Sequence, residues 1–168
     1  MIRMDFAEVR VSAAAGAPVM LLRESSGERF LPIWISATAG SAVLSAREEA
    51  RTDHPSTHEL LVEVLAVLDG VLERVEIIDE HEGVFQGQLL VNGHMLPCRV
   101  TDGVALALRC HVGVWVSDEV LARCGVVAVP ESPDGVLLGE TDEQMELFRE
   151  FLDSVSADDF TDETDDDS

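Results

Sequence analysis

The chain has 168 residues with 33 acidic and 11 basic side chains, and its formal net charge is −22. This length predicts one domain with a real hydrophobic core and leaves no room for a second enzyme-sized domain. The chain contains no lysine, and no basic stripe of the kind that attracts nucleic acid is visible along it.

The first half of the chain predicts three strands followed by two helices. Alternating apolar residues place the strands at residues 6–11, 18–23 and 28–36. A helix rich in small residues follows at residues 37–51. A second helix is indicated by apolar residues at helical spacing between Leu60 and Leu68, and it ends at Gly70.

The second half predicts three more strands, a helix, a short strand and a final helical turn. The three strands are expected at residues 72–79, 84–91 and 94–100. Asn92-Gly93 separates two apolar alternations, which is a strong signal for a two-residue hairpin. The later elements are expected at residues 102–110, 112–116 and 117–123.

This order of elements predicts an α+β fold. Strands and helices are segregated along the chain, which favours a mostly antiparallel sheet packed with helices. Leu31-Pro32 and Leu96-Pro97 occupy equivalent places in the two halves. This correspondence suggests an internal duplication of a three-strand, two-helix unit.

The C-terminal part of the chain differs in composition from the rest. We predict a domain at residues 1–129, then a linker and a C-terminal helix at residues 130–155, the helix beginning at Thr141 in a capping box. Residues 140–168 carry 13 acidic side chains against Arg149 alone. Residues 156–168 have too few apolar side chains to repay the entropy of ordering, so we expect a disordered acidic tail there.

Composition also bears on the cellular compartment. The apolar stretches are shorter than the ~20 residues of a membrane span, and the first residues lack the apolar core of a signal peptide. Cys98, Cys110 and Cys124 are odd in number and show no Cys-x-x-Cys spacing, which argues against a disulfide framework and a zinc site. We therefore expect a cytoplasmic protein with free thiols and no membrane association.

A first polar cluster, His54-Pro55-Ser56-Thr57-His58-Glu59, precedes the second helix. Its structural interpretation is a capping box, in which Ser56 accepts from the Glu59 N–H and the Glu59 side chain reaches back. In the functional interpretation, His58 shuttles protons and Glu59 binds a metal, because imidazole exchanges protons near neutral pH and carboxylates bind hard cations. The His-Glu-x-x-His zinc motif is absent.

A second polar cluster, Arg99-Val100-Thr101-Asp102-Gly103, opens the helix at residues 102–110. Arg99 and Asp102 could form an ion pair that ties the strand end to the helix start. In the functional interpretation, Asp102 binds Mg²⁺ or Mn²⁺, and Arg99 clamps phosphate oxygens with its planar fork. Thr57 and Thr101 are caps or neighbours of caps in the first interpretation and substrate-binding residues in the second.

Together with Leu31-Pro32-Ile33-Trp34-Ile35, these two clusters resemble the bifunctional nuclease family, from about Met4 to Gly125. Family members typically carry Arg-Pro-Ser-Asp-Ala in the second cluster, of which this chain keeps Arg99 and Asp102. The resemblance implies an α+β fold and a nuclease that hydrolyses the phosphodiester bonds of DNA and RNA.

With that activity, the site would combine catalytic, metal-binding and substrate-binding groups. The catalytic residues would be His58, Glu59 and Asp102, with Glu59 and Asp102 as ligands of Mg²⁺ or Mn²⁺. Arg99, Thr57 and Thr101 would bind the substrate. Trp34 and Trp115 could stack bases, although tryptophan in an apolar strand more often belongs to a core or an interface.

A second class of function fits the same sequence. A noncatalytic regulatory or protein-interaction module would use the same fold and engage a protein partner through the acidic tail, and the surplus of carboxylates favours it. Pairing of two copies through an exposed sheet or helix surface is also compatible with the sequence. The nuclease hypothesis requires the two helix starts to meet in one accessible place.

Overall fold

The computed structural model describes residues 1–11, 17–27, 29–48, 54–128 and 137–139. The strands are β1 Ile2–Val11, β2 Pro18–Glu24, β3 Arg29–Trp34, β4 Leu72–His81, β5 Val84–Val91, β6 His94–Arg99, β7 Gly113–Val116, β8 Val126–Ala128 and β9 Leu137–Gly139. The helices are α1 Ala37–Arg47, α2 Thr57–Val67, α3 Val100–Cys110 and α4 Asp118–Cys124. The α+β fold class is therefore confirmed.

The described strands form one nine-stranded sheet in the order β6-β5-β4-β7-β1-β2-β3-β8-β9. Strands β4 and β7 pair in parallel, and the other described pairs are antiparallel. Two three-stranded meanders, β1-β2-β3 and β4-β5-β6, flank the short strand β7.

The two halves correspond in topology. Each meander is followed by a helix, α1 or α3, and these two helices pack against each other. Both Leu-Pro pairs fall in the third strand of their meander, β3 or β6. The correspondence covers three strands and one helix rather than two, because β7 separates α3 from α4.

The core lies on one face of the sheet, beneath the helices. Alternate residues of the central strands point toward it, as a pleated strand requires. The strand side chains in this core include Met4, Leu22, Leu31, Val75, Ile77, Val114 and Val116. The helices add Val43, Val100, Val104, Leu106, Val120 and Leu121.

The sequence locates these elements well, with shifts at their ends. The first strand begins at Ile2 rather than at residue 6, and α3 begins at Val100 rather than at residue 102. The Asn92-Gly93 hairpin is confirmed, with both residues at positive φ, 47° and 75°. The strands β8 and β9 are not predicted, because three residues are too few for a readable alternation.

Strand β9 lies inside residues 130–155, where the sequence predicts only a linker and a helix. The helix predicted from Thr141 and the acidic tail predicted at residues 156–168 lie outside the described residues. No helix within the described ranges has both the length and the apolar character needed to cross a membrane.

Helix α2 has the predicted periodicity of apolar residues, but it buries few of these side chains. Val62 and Leu65 pack against the core, and no residue of the helix is fully buried. The apolar side chains on its outer surface are 40–82% exposed; they are Leu60, Leu61, Val64 and Val67, followed just past the helix by Leu68.

Helix α3 lies unusually close to β4 at Gly103. A Cβ atom added there would lie 2.7 Å from Val75 Cγ1 and 3.2 Å from Cys98 Sγ. Real Cβ contacts are longer than the first of these distances, so an alanine would force the helix or Val75 to move. Glycine at this helix position therefore serves close packing of α3 on β4.

We expect Gly103→Ala to destabilise the fold by about 1–2 kcal/mol, because overpacking outweighs the ~1 kcal/mol gained in helix propensity. The free energy of unfolding in urea measures this effect. In a Val75→Ala background the same change should cost less, since the clashing methyl group is gone. A stabilised single variant would contradict the packing argument.

Candidate active site at the starts of two helices

Helix α2 begins with the capping box that its sequence predicts. The Glu59 N–H donates to Ser56 Oγ at 3.4 Å, and the Ser56 N–H donates to Glu59 Oε2 at 2.6 Å. Thr57 is the first helical residue and is exposed, whereas His54 precedes the helix. The cap uses backbone N–H groups that would otherwise be free at this helix start.

Helix α3 begins differently. Its N-cap residue is Arg99, and no side chain caps its first turn. Thr101, the second residue of the helix, is therefore a neighbour of the cap rather than the cap itself. Arg99 instead donates to Asp102 through Nε at 2.6 Å and through Nη2 at 3.0 Å, so the predicted ion pair is confirmed.

The two helix starts meet at Asp102. Nε2 of His58, on α2, lies 3.2 Å from Oδ1 of Asp102. The His58 and Asp102 side chains are 18% and 29% exposed, while that of Arg99 is 80% exposed. His58, Asp102 and Arg99 therefore form one group that solvent can reach.

The pKa of the Asp102 carboxyl reflects these contacts. Burial alone raises it, but the hydrogen bonds from Arg99 and His58 outweigh burial, and the pKa lies below its usual value. The carboxylate is thus ionised at neutral pH. An ionised Asp102 accepts a hydrogen bond from His58 Nε2–H and fixes the orientation of the imidazole.

Arg109 belongs to the same region and was not singled out by the sequence analysis. Its Nη1 donates to Glu59 at 3.1 Å, and its Nη2 donates to Ser45 at 3.3 Å. These contacts join α3 to both α2 and α1. The only available signal was its position, because it follows Asp102 by two helical turns in an otherwise apolar helix.

The two carboxylates predicted to bind metal are each engaged by an arginine. Asp102 accepts a hydrogen bond from Arg99, and Glu59 accepts hydrogen bonds from Arg109 and from the Ser56 N–H. Among the described residues, no group of three or more His, Cys, Asp or Glu side chains could hold a metal ion. In this arrangement the residues do not fit a metal site, and Mg²⁺ or Mn²⁺ binding stays a prediction.

The nearby thiol of Cys98 is an unsuitable nucleophile. Burial and the negative charge of Asp102 raise its pKa to about 11, so the reactive thiolate is scarce at neutral pH. Cys98, Cys110 and Cys124 are all free, as predicted. A cavity of about 160 Å³ between α3 and β1 is lined by none of the residues of the candidate site.

The lowered pKa of Asp102 makes a pH-dependent contribution to stability. The ionised group stabilises the fold above its usual pKa of 3.8, and this contribution is lost as the pH falls through the lower pKa of the folded state. We expect the stability difference between the native chain and Asp102→Asn to be largest at pH 7 and to shrink below pH 4.

Urea unfolding at pH 7, 5, 4 and 3 measures this difference. Asp69→Asn, at an exposed turn residue with positive φ that asparagine tolerates, is the matched control and should show a constant difference. A constant difference for Asp102→Asn as well would rule out the proposed contribution of its ion pair.

Comparison with known proteins agrees with the resemblance of the two clusters. Residues 20–128 match the bifunctional nuclease domain family. The chain is also 37% identical over 153 residues to two proteins of Mycobacterium tuberculosis, the uncharacterized protein MT1877 of strain CDC 1551 / Oshkosh and the uncharacterized protein Rv1829 of strain ATCC 25618 / H37Rv. Each alignment covers 90% of this chain and 93% of the relative. The chain therefore belongs to the bifunctional nuclease domain family.

Proposed function

We propose that this protein is a nuclease that hydrolyses phosphodiester bonds in DNA and RNA. Membership of the family suggests nuclease-like chemistry. The observation that carries the proposal is the contact of His58 with Asp102, beside the exposed guanidinium of Arg99. These three groups supply two of the parts that phosphodiester hydrolysis needs, a base for water and a cation for phosphate oxygens.

His58 is the general base in this mechanism. Its Nε2–H is held by Asp102, and within the described part of the chain its Nδ1 has no hydrogen-bond partner. A neutral imidazole in this tautomer accepts a proton at Nδ1. A water molecule at Nδ1 would give its proton to the imidazole as its oxygen attacks phosphorus, and Asp102 would stabilise the imidazolium that forms. The bond between phosphorus and the leaving sugar oxygen breaks, that oxygen takes a proton from solvent, and the imidazolium returns its proton to solvent.

Arg99 and the start of α3 bind the phosphate. Arg99 donates hydrogen bonds to Asp102 through Nε and Nη2. The two N–H groups of Nη1 are not used in this ion pair and can donate to a phosphate. The first turn of α3 has no side-chain cap, so its N–H groups and the helix dipole favour an anion there. Thr101 within this turn and Thr57 on α2 are the proposed further contacts to substrate.

Dependence on Mg²⁺ or Mn²⁺ is a separate proposal. A cation at Asp102 or Glu59 would have to displace Arg99 or Arg109, respectively. If a cation binds there, it would neutralise charge on the phosphate and add a Lewis acid to the site. Metal dependence would therefore reveal a rearrangement of these ion pairs.

We expect the purified protein to nick DNA and RNA, and His58→Gln or Asp102→Asn to slow cleavage by about 10²-fold or more, the usual contribution of a general base. His94→Gln, the same kind of change at an exposed residue of β6, should retain the native rate. Cooperative thermal unfolding of each variant excludes misfolding as the cause.

Two further outcomes decide between explanations. Loss of cleavage in EDTA, with recovery in Mg²⁺ or Mn²⁺, would support the metal proposal. Equal cleavage by Asp102→Asn and the native protein would assign the activity to a contaminating nuclease and defeat the proposal.

The exposed apolar surface of α2 favours the second candidate function, a noncatalytic interaction module. Side chains such as Val67, 82% exposed, and Leu68, 72% exposed, are costly in water unless a partner covers them. In this case cleavage would be absent, and Val67→Glu with Leu68→Glu would change the sedimentation of a homodimer or abolish binding of a protein partner. A contribution of the acidic tail to such binding is part of the same proposal.

A further inference from the structure

The open face of the sheet, the one opposite the core, is polar around β7 and β1, whereas Leu21 and Leu90 on the same face are buried, 3% and 8% exposed. Within the described residues, α1, α3 and α4 bury side chains in the core on the other face, and α2 packs against that core. The pairing registers place one row of residues across this open face; from β6 to β1 the row is Pro97, Gln88, Glu76, Trp115 and Arg3. The neighbouring row includes Arg74, Gly113, Asp5 and Arg23.

Trp115 lies flat on this face because Gly113 leaves room for it. A Cβ atom added at Gly113 would lie 2.9 Å from Trp115 Nε1 and 3.6 Å from Cδ1. The five-membered part of the indole therefore covers the backbone of Gly113, two residues away on the same strand. Trp115 is partly exposed, so it presents an aromatic surface above the sheet.

Two arginines near this ring form no ion pair with the carboxylates that the structure describes. Arg3 pairs with Trp115 in the register of β1 and β7, and Arg23 lies on the next strand. Both are exposed, and neither forms an ion pair within the described residues. Asp5, which pairs with Arg23 in register, instead accepts a hydrogen bond from the Ser25 hydroxyl at 3.1 Å.

The carboxylate beside Trp115 is already neutralised. Glu76 is 5% exposed and accepts from Arg74 at 2.6 Å and from Gln88 at 2.7 Å. Burial raises its pKa, but these two hydrogen bonds outweigh burial and keep it ionised and paired. Its charge is therefore balanced locally by Arg74. The other charges near the ring are Arg3, Arg23 and Asp5, so positive charge exceeds negative there by one.

We propose that this face binds single-stranded nucleic acid, with a base stacked on Trp115 and phosphates held by Arg3 and Arg23. The inference rests on the proposed function, because it names the surface that delivers the substrate. Base stacking on an exposed aromatic ring requires an unpaired base, which a duplex does not offer. Arginines beside the ring supply the charge that fixes the backbone.

The surface leads to the candidate active site. Arg99 pairs with Gln86 at the end of β6, two residues beyond the Pro97 that begins the row containing Trp115. Strands β7 and β6 are three positions apart in the sheet, roughly 14 Å at ordinary strand spacing. An oligonucleotide that stacks on Trp115 and follows this face to the edge strand β6 can therefore reach Arg99, which contacts Asp102 at the start of α3.

The two tryptophans of the chain permit a direct test. In full-length protein carrying Trp34→Phe, Trp115 is the single source of indole fluorescence. A fluorescein-labelled thymidine 12-mer with a phosphorothioate backbone, which resists cleavage, should quench this fluorescence as it binds. Inorganic polyphosphate, which carries charge but no bases, should compete without quenching.

Variants distinguish base stacking on Trp115 from phosphate binding by Arg3 and Arg23. Trp115→Leu should weaken binding of the 12-mer, followed by fluorescence anisotropy, by roughly tenfold or more. Arg3→Gln and Arg23→Gln should each flatten the dependence of log affinity on log salt by about 0.7. The matched control is Arg47→Gln. Arg47 also forms no ion pair within the described residues, but its guanidinium stacks on Phe6, which faces the core. This change should leave the dependence of log affinity on log salt unaltered.

The outcomes for the two proposals are distinct. Binding that quenches Trp115 in a protein without cleavage activity would support this surface and defeat the nuclease mechanism. Cleavage without quenching, or equal quenching by a duplex or by polyphosphate, would overturn this surface and leave the mechanism standing.

Discussion

The close packing of α3 on the sheet is the constraint on which the rest of the molecule depends. Gly103 lets this helix approach β4, and its apolar side chains occupy the centre of the core. The same helix carries Asp102 at its start and Arg109 near its end, and through them it holds α2 and α1. A shift of α3 would therefore disturb the core and the candidate site together.

Arginine is the common element of the polar structure. The chain has no lysine, and several arginines balance specific carboxylates, Arg99 at Asp102, Arg109 at Glu59 and Arg74 at Glu76. Arginine suits these positions because its planar fork binds a carboxylate through two N–H groups. Within the described residues Arg3, Arg23 and Arg47 form no ion pair, and the first two lie on the open face of the sheet.

The large negative charge of the chain opposes nucleic-acid binding over long distances, but it does not determine the potential at one surface. Around Trp115 the carboxylate of Glu76 is paired, whereas Arg3 and Arg23 form no ion pair with any described residue and outnumber the remaining carboxylate, Asp5. A substrate that arrives there meets a local surplus of positive charge, and the repulsion by the rest of the molecule would weaken its affinity. Local attraction opposed by overall repulsion favours weak binding of short single strands over tight binding of long duplexes.

The sequence by itself determined the elements whose signals are local. The capping box of Ser56 and Glu59 and the hairpin at Asn92-Gly93 depend on neighbouring residues, and both were predicted. Only the tertiary structure decided that His58 contacts Asp102, 44 residues away, and that Arg109 contacts Glu59, 50 residues away. It also decided that the outer face of α2 stays exposed and that Trp115 lies on the open face of the sheet. Periodicity reports that a residue belongs to one face of a helix or strand, but which element covers that face depends on how the whole chain packs.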